Sequence, residues 1–179
     1  MNENGEREYD TNTILEQMRE EYWKGITEAE VEETKNQIQL VLVVLGNELF
    51  GIKAKQTKEI IKMPLLLRVP KTPPTIMGIF NLRGKITPVV DIRHPLGLKK
   101  PPFEARARVV VVESGGISTG IAVEEVKEII SVSDEKIKPL AKIIGDREFM
   151  PGQVDVGGEI LVLLDMDKIL RTRDFQVNA

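Results

Sequence analysis

The sequence contains no cysteine and a single histidine, His94, among its 179 residues. The lack of cysteine excludes disulfides, thiol nucleophiles, cysteine-ligated zinc sites and iron–sulfur clusters. His94 directly precedes Pro95 in a polar stretch and has no second histidine or cysteine to act with, so we interpret it as a solvated loop residue. The sequence also lacks a G-x-x-x-x-G-K-S/T phosphate loop and a G-x-G-x-x-G dinucleotide loop. We therefore expect no metal, no cofactor and no catalysis.

Long hydrophobic runs are also missing. The longest, such as Leu40 to Leu45 and Ile160 to Leu164, have the length of strands and are far shorter than the roughly 20 residues that cross a bilayer. The first thirty residues are acidic and lack the basic start and apolar stretch of a secretory signal. These features predict a cytoplasmic protein with no inserted membrane segment.

Charge divides the chain into an acidic extension, residues 1–36, and a body, residues 37–179. The extension has a net charge of −7 and the body a net charge of +4, which together give the overall −3. Thr13 with Glu16, and Thr27 with Glu30, have the spacing of capping boxes at helix starts. The apolar periodicity between them predicts a short amphipathic helix over residues 13–24. This helix either packs on the body, remains partly disordered, or acts as a partner-binding arm.

The body has the pattern of a mainly β protein. Stretches rich in valine and isoleucine alternate with turn residues every 8 to 12 positions, which is typical of a β-barrel or sandwich. Gly46-Asn47 marks a hairpin turn. The predicted strands are 38–45, 49–53, 59–63, 75–81, 85–91, 108–113, 118–123, 127–132, 149–156 and 159–165.

The predicted strands form two copies of one unit. Gly51-Ile52 and Glu59-Ile60-Ile61 recur as Gly120-Ile121 and Glu128-Ile129-Ile130, 69 residues later. Farther along the chain the offset becomes 74, and one loop insertion accounts for the change. It relates Gly78, Gly84, Ile86, Val89, Val90, Asp91 and Leu96 to Gly152, Gly158, Ile160, Leu163, Leu164, Asp165 and Leu170. Five strands per copy predict two small tandem barrels, intertwined with one another at about 37–100 and 101–179, each of which closes its sheet.

The stretch from Gly78 to Gly97 reads G-I-F-N-L-R-G-K-I-T-P-V-V-D-I-R-H-P-L-G. It resembles the signature of the CheW family of chemotaxis coupling proteins, in which an N-L-R-G turn leads into a strand ending P-V-x-D-L/I-R, followed by L-G. Upstream, the glycine-isoleucine, E-I-I and R-V-P segments of that family are matched as well, the last by Arg68-Val69-Pro70. The resemblance covers residues 38 to about 172. Two features depart from it: Thr57 stands where the family usually has an aliphatic residue, and the acidic extension is longer than usual.

The resemblance implies a pair of five-stranded SH3-like β-barrels and a non-enzymatic, cytoplasmic adaptor that is a monomer when isolated. Members of the family are recruited to membrane-associated receptor arrays. There they bind the regulatory domain of the chemotaxis histidine kinase and the cytoplasmic tip of the chemoreceptors. The receptor-binding residues that it implies are Glu59, Gly78, Asn81, Leu82, Arg83 and Gly84. On the kinase side it implies Met63, Leu65 and Leu67.

The comparison of the two copies supports a function in binding. Arg83 falls opposite Gly157, so the asparagine-leucine-arginine turn exists in the first copy only and is the better functional candidate. Asp91 and Asp165 are shared, and each ends a strand where aspartate commonly caps a following helix, so we interpret both as structural. For the ion pair of Glu59 with Arg83, an exposed and a partly buried arrangement remain open. For the apolar residues around Leu65, an interface and internal burial remain open.

Two other functions compete with the adaptor. Small β-barrels also bind single-stranded nucleic acid through stacked aromatic residues in a basic groove, but this chain has eight aromatic residues and a pI of about 5.4, so nucleic-acid binding is the weaker hypothesis. A hydrolase would need a carboxylate-only mechanism based on Glu59, Asp91 or Glu128, and nothing in the sequence indicates a cleft that separates their pKa values.

Overall fold

The computed structural model describes residues 36–140, 149–172 and 175. Apart from its first two residues, this part of the chain belongs to one compact unit, which begins at Ile38. The helix predicted over residues 13–24 lies outside the described residues.

The body is mainly β, as predicted, and all ten predicted strands are present. Nine of them begin and end within two residues of the predicted positions. The ninth is shorter than predicted and starts at Gln153, because Phe149 and Met150 bury their side chains in the core and Pro151 has no N–H group for a strand ladder. The strands are β1 (Gln37–Leu45), β2 (Glu48–Lys53), β3 (Thr57–Lys62), β4 (Ile76–Leu82), β5 (Lys85–Val90), β6 (Arg108–Ser114), β7 (Ile117–Val123), β8 (Glu125–Ser133), β9 (Gln153–Val156) and β10 (Glu159–Leu164).

The ten strands form two five-stranded sheets. The order in the first, sheet A, is β8-β1-β2-β10-β9, and the order in the second, sheet B, is β3-β6-β7-β5-β4. Each sheet therefore takes two strands from one sequence copy and three from the other. The copies exchange their first two strands, so the ranges 37–100 and 101–179 are the two sequence copies and do not each correspond to one sheet.

The duplication itself is confirmed at the level of strand register. When each strand is replaced by its counterpart in the other copy, the order of sheet A becomes the order of sheet B. In sheet A, β2 pairs in parallel with β10 so that Gly51 lies opposite Leu163. In sheet B, β7 pairs in parallel with β5 so that Gly120 lies opposite Val89. The two pairs are related by the sequence offsets of 69 and 74.

Central strands are apolar on both faces because each face has its own core. In β1, Leu40 and Leu42 belong to a cluster whose buried members all lie in sheet A. The alternate residues Val41 and Val43 belong to a larger cluster shared by both sheets. β6 repeats this arrangement in sheet B. Full burial of each such side chain contributes about 1.5–3 kcal/mol, so the shared core holds the two sheets together.

A short α-helix, α1 (Met166–Arg171), follows β10. Its N-cap is Asp165, whose Oδ1 accepts a hydrogen bond from the Lys168 amide at 3.1 Å, and Met166 and Ile169 anchor the helix in the shared core. No helix in the described residues is long and apolar enough to cross a membrane.

Candidate protein-binding site

The turn between β4 and β5 displays an arginine in a conformation that arginine rarely adopts. Arg83 has φ of 52° and Gly84 has φ of 87°, and the Asn81 side chain fixes the turn by accepting a hydrogen bond from the Gly84 amide at 2.6 Å. A left-handed conformation costs a residue with a side chain about 1–2 kcal/mol. At the equivalent position the second copy has Gly157, with φ of 63°. Arg83 thus occupies a site where glycine would be more stable, and such strain is characteristic of functional positions.

Arg83 forms an ion pair with Glu59 across the end of sheet B. The Arg83 Nη2 and Glu59 Oε2 atoms lie 3.1 Å apart, and the arginine side chain is 81% exposed while the glutamate side chain is 26% exposed. The exposed alternative left open by the sequence is therefore the observed one. An exposed pair of this kind contributes about 0–1 kcal/mol to stability, so the guanidinium group is available to a partner at little cost to the fold.

Gly78 lies where the segment predicted to bind the kinase contacts β4, the strand that carries residues predicted to bind the receptor. Ile79 and Leu67 exchange two backbone hydrogen bonds, each of 2.9 Å, which attach the segment after β3 to the edge of β4. A Cβ atom at Gly78 would lie 2.8 Å from the Leu67 carbonyl oxygen and 3.0 Å from the Leu66 Cβ. Only glycine allows the two backbones to approach this closely.

The three residues predicted to bind the kinase do not share one environment. Leu65 is 97% exposed and Leu67 is 70% exposed. Met63 is half-buried and packs with Leu66 against the core of sheet B around Phe80. The side chains of this apolar segment therefore point to two environments. Leu65 and Leu67 are exposed to solvent, whereas Met63 attaches the segment to the core of sheet B.

A buried ion-pair network around Arg93 was missed in the sequence. The Arg93 side chain is 4% exposed and forms two hydrogen bonds of 2.9 Å with Asp91, from Nε to Oδ1 and from Nη2 to Oδ2. Asp91 was expected to cap a helix as Asp165 does, but a series of turns follows it. Its carboxylate binds the Arg93 backbone amide and guanidinium instead.

Arg93 also connects parts of the chain that are distant in sequence. Its Nη1 donates to Glu124 and to the Pro101 carbonyl oxygen at 2.8 Å, and its guanidinium lies 3.9 Å from the centre of the Phe103 ring. Glu124 lies at the crossover from β7 in sheet B to β8 in sheet A, and its other oxygen accepts from the Gly46 amide of sheet A at 2.8 Å. Arg93 therefore links three parts of the protein: sheet A, sheet B and the connection between the two sequence copies.

The network makes stability depend on pH at the acidic end. Burial alone would raise the pKa of Asp91, but hydrogen bonds from Arg93 and the charges of Arg93 and Lys100 outweigh it and lower that pKa below its ordinary value of 3.8. The unfolded chain then binds the proton more readily than the folded chain. This contribution to the free energy of unfolding is complete above about pH 4 and is lost as the pH falls through the lowered value.

We expect Asp91→Asn to flatten the decrease in stability below pH 4. Urea unfolding of the wild type and the variant between pH 2 and 6 would measure the effect, with the exposed Glu104→Gln as the control. Parallel pH profiles for the wild type and Asp91→Asn would contradict this account of Asp91.

A signal for Arg93 is present in the sequence. At the offset of 74, Arg93 falls opposite Asp167, so the arginine belongs to one copy only, just as Arg83 does. Asp167 itself accepts hydrogen bonds from Gln56 at 2.9 Å and from Ser114 at 2.5 Å. Gln56 lies where the chain crosses from β2 to β3. At this position each copy therefore has a charged residue that binds a crossover between the sheets, an arginine in the first copy and an aspartate in the second.

The geometry offers no catalytic centre in the described residues. Residues 116–120 spell G-x-S-x-G, but Ser118 lies within β7, which no helix follows, whereas a nucleophile elbow needs a strand-to-helix turn. No group of three histidine, aspartate or glutamate side chains in the described part is arranged to hold a metal. His94 is exposed. Nor do the described aromatic residues offer a stacking surface for nucleic acid, because all five of them, Phe50, Phe80, Phe103, Phe149 and Phe175, are buried or half-buried.

Comparisons with known proteins agree with the fold. The family model of the CheW-like domain matches residues 39–174. The chain is 30% identical over 138 residues to the chemotaxis protein CheW of Klebsiella aerogenes, covering 76% of this chain and 83% of the relative. It is 30% identical over 146 residues to the chemotaxis protein CheW of Treponema pallidum, covering 78% and 86%. Protein FrzA of Myxococcus xanthus is 30% identical over 134 residues, covering 72% and 82%.

Among solved structures, the chain is similar to the scaffolding protein TtCheW from Thermoanaerobacter tengcongensis. The TM-score is 0.71 at 28% sequence identity, and the match covers 76% of this chain and 90% of that one. The mainly β fold with two five-stranded sheets is thus shared with a relative of known structure. The chain belongs to the CheW-like domain family and is a non-enzymatic chemotaxis coupling scaffold.

Proposed function

We propose that this scaffold couples chemoreceptors to the chemotaxis histidine kinase in the cytoplasm, at membrane-associated receptor arrays. The proposal assigns the cytoplasmic tip of the receptor to Glu59, Gly78, Asn81, Leu82, Arg83 and Gly84. It assigns the regulatory domain of the kinase to Leu65 and Leu67, which Met63 supports from beneath. Both sets belong to sheet B or to the segment bridged to it.

The observation that carries this proposal is the attachment of the Leu65–Leu67 segment to β4 beside Gly78. It holds two exposed leucines and one exposed, strained arginine on a single rigid sheet. Exposed leucines that the fold does not cover are typical of protein-binding surfaces, and an accessible guanidinium gives such a surface specificity for carboxylates. One sheet can therefore hold an apolar partner and an acidic partner at a set distance.

We expect Arg83→Glu to weaken capture of a receptor cytoplasmic fragment about tenfold or more, because it places two carboxylates together where a cation stood. Kinase capture should stay within about twofold, since Leu65 and Leu67 are unaffected. Pull-downs with the purified receptor fragment and the purified kinase regulatory domain would measure both. Arg106→Glu is the matched control, as Arg106 is an exposed arginine outside sheet B.

The reciprocal variant Leu65→Glu should weaken kinase capture and spare receptor capture. Leu65 is almost fully exposed, so the substitution removes an apolar contact without disturbing the core. A folded Arg83→Glu protein that captures the receptor fragment as well as the wild type does would refute the receptor assignment. An equal loss of both partners in either variant would refute the separation of the two surfaces.

A further inference from the structure

Phe103 lies in the segment that connects the two sequence copies, between β5 and β6. The guanidinium group of Arg93 lies over its ring, 3.9 Å from the ring centre, and the nearby Pro101 carbonyl oxygen accepts a hydrogen bond from Arg93 Nη1 at 2.8 Å. A cation is attracted to the negatively charged face of an aromatic ring, most strongly where water is excluded, and the Arg93 side chain is only 4% exposed. The buried Arg93 therefore fixes the position of the Phe103 ring.

The same ring packs against the core of sheet B. The buried members of that core come from β4, β5, β6 and β7 and are Phe80, Val89, Val109, Val111 and Ala122. Met63 and Leu66, in the segment after β3, pack against this core as well. Two connecting segments, one before β6 and one after β3, therefore share one apolar core.

Strand directions place these two segments at the same end of sheet B. Lys62, the last residue of β3, pairs with Arg108, the first residue of β6. Met63 directly follows β3, and Phe103 lies shortly before β6. β6 begins opposite the end of β7, and β5 runs parallel to β7, so Arg93, which follows β5, reaches this end too. Phe103 and Met63 therefore close the same end of sheet B.

The segment after β3 depends on this core for its position. It lies outside the strands and is attached to β4 by the two backbone hydrogen bonds between Leu67 and Ile79. Such segments open at a lower free energy than the central strands of a sheet do. Because the Leu65 and Leu67 side chains remain in solvent, it is the packing of Met63 and Leu66 that opposes the opening of this bridge.

We propose that Phe103 is a positioning residue that keeps Leu65 and Leu67 attached to β4. Its ring closes the end of sheet B at which Met63 also packs, so its removal would leave that end loosely packed and release the segment. Arg93 holds the ring, so the network that links the two sheets also determines where the two exposed leucines lie. The consequence for kinase binding rests on the proposed function, whereas the positioning of the segment does not.

Hydrogen exchange of the full chain, followed residue by residue by NMR, tests the proposal. In Phe103→Ala we expect the Leu67 and Ile79 amides to exchange about tenfold faster or more, because their bridge opens more often. The Lys138 and Gln153 amides, which form the equivalent bridge in sheet A, should change by less than about twofold. A merely destabilised protein would lose protection at both bridges alike, so the contrast between the two bridges reports positioning.

Phe103→Leu keeps an apolar side chain at the site but removes the ring that Arg93 contacts. It should accelerate exchange at the Leu67–Ile79 bridge by a smaller factor, about threefold, and it provides the same contrast if Phe103→Ala does not fold. Phe175→Ala is the matched control, since Phe175 is also half-buried but packs against the core shared by the two sheets. It should not accelerate exchange selectively at the Leu67–Ile79 bridge.

Kinase capture should fall about fivefold or more in Phe103→Ala, because binding would then have to order a segment that is fixed in the wild type. Receptor capture should stay within about twofold. Faster exchange at Leu67 and Ile79 with unchanged kinase capture would support the positioning role and refute the assignment of the two leucines to the kinase. Unchanged exchange at Leu67 and Ile79 in both Phe103 variants, or equal acceleration at the two bridges, would overturn the proposal.

Discussion

Replacing Arg93 with methionine is expected to lower the free energy of unfolding by about 3–5 kcal/mol, because it removes the buried counter-charge of two carboxylates and leaves Asp91 only the partly exposed Lys100, at 3.5 Å. The side chains of Asp91 and Glu124 are only 7% and 14% exposed. Their hydration in the folded state cannot replace the hydrogen bonds that Arg93 donates. For a chain of this length the loss corresponds to a decrease in Tm of about 6–20 °C.

Urea unfolding of Arg93→Met beside Arg106→Met would measure the effect. Arg106 also forms ion pairs, but its side chain is 70% exposed, so its replacement should cost about 0–1 kcal/mol. The double variant Arg93→Met/Glu124→Gln should cost less than the two single variants together, since it removes one of the stranded charges. A loss of less than about 1 kcal/mol for Arg93→Met would show that the network does not hold the two sheets together.

Replacing Gly78 with alanine should have the second large effect, on binding as well as on stability. The added Cβ would meet the Leu67 carbonyl oxygen at 2.8 Å, and the Leu67 backbone, which Ile79 holds by two hydrogen bonds, cannot move away as a flexible side chain can. We expect a loss of about 1–3 kcal/mol in stability. The segment carrying Leu65 and Leu67 should separate from β4, and kinase capture should fall with it.

The duplication provides a matched control for this variant. Gly152 occupies the equivalent place in sheet A, where Lys138 and Gln153 exchange two backbone hydrogen bonds of 2.8 Å. A Cβ there would lie 2.7 Å from Ile137 Cγ2 and 3.0 Å from the Lys138 carbonyl oxygen. Gly152→Ala should therefore reduce stability by a comparable amount and leave kinase and receptor capture intact. Loss of capture in both variants would mean that binding follows stability rather than the position of the leucines.

The sequence predicted the strands and the duplication because both depend on local patterns. Alternating turn residues and valine-rich stretches set the strand positions, and β1 differs from its predicted start by one residue. The exchange of strands between the copies could not be predicted from such local patterns. Two separate barrels and two exchanged barrels contain the same strands, and only the position of β1 and β2 between β8 and β10 distinguishes them.

The residues of the candidate site were also predictable only where a local pattern in the sequence identifies them. The β4–β5 turn was identified because Arg83 has no counterpart in the second copy, and that comparison needs no coordinates. Arg93 meets the same criterion but was overlooked, because its burial depends on Glu124, which lies 31 residues away. The different exposure of Met63 and Leu65 was also unpredictable, since both are apolar residues within one irregular segment, and only the core of sheet B determines which of them it covers.

In the proposed function, one molecule of this scaffold holds a receptor and a kinase together through sheet B. The most direct test of this arrangement is co-sedimentation of the kinase regulatory domain with receptor fragments in membranes or on beads, with and without the scaffold. We predict that the kinase domain sediments only when the wild-type scaffold is present, and that Arg83→Glu and Leu65→Glu each abolish the bridge. Kinase that sediments equally well without the scaffold, or with both variants, would contradict the account.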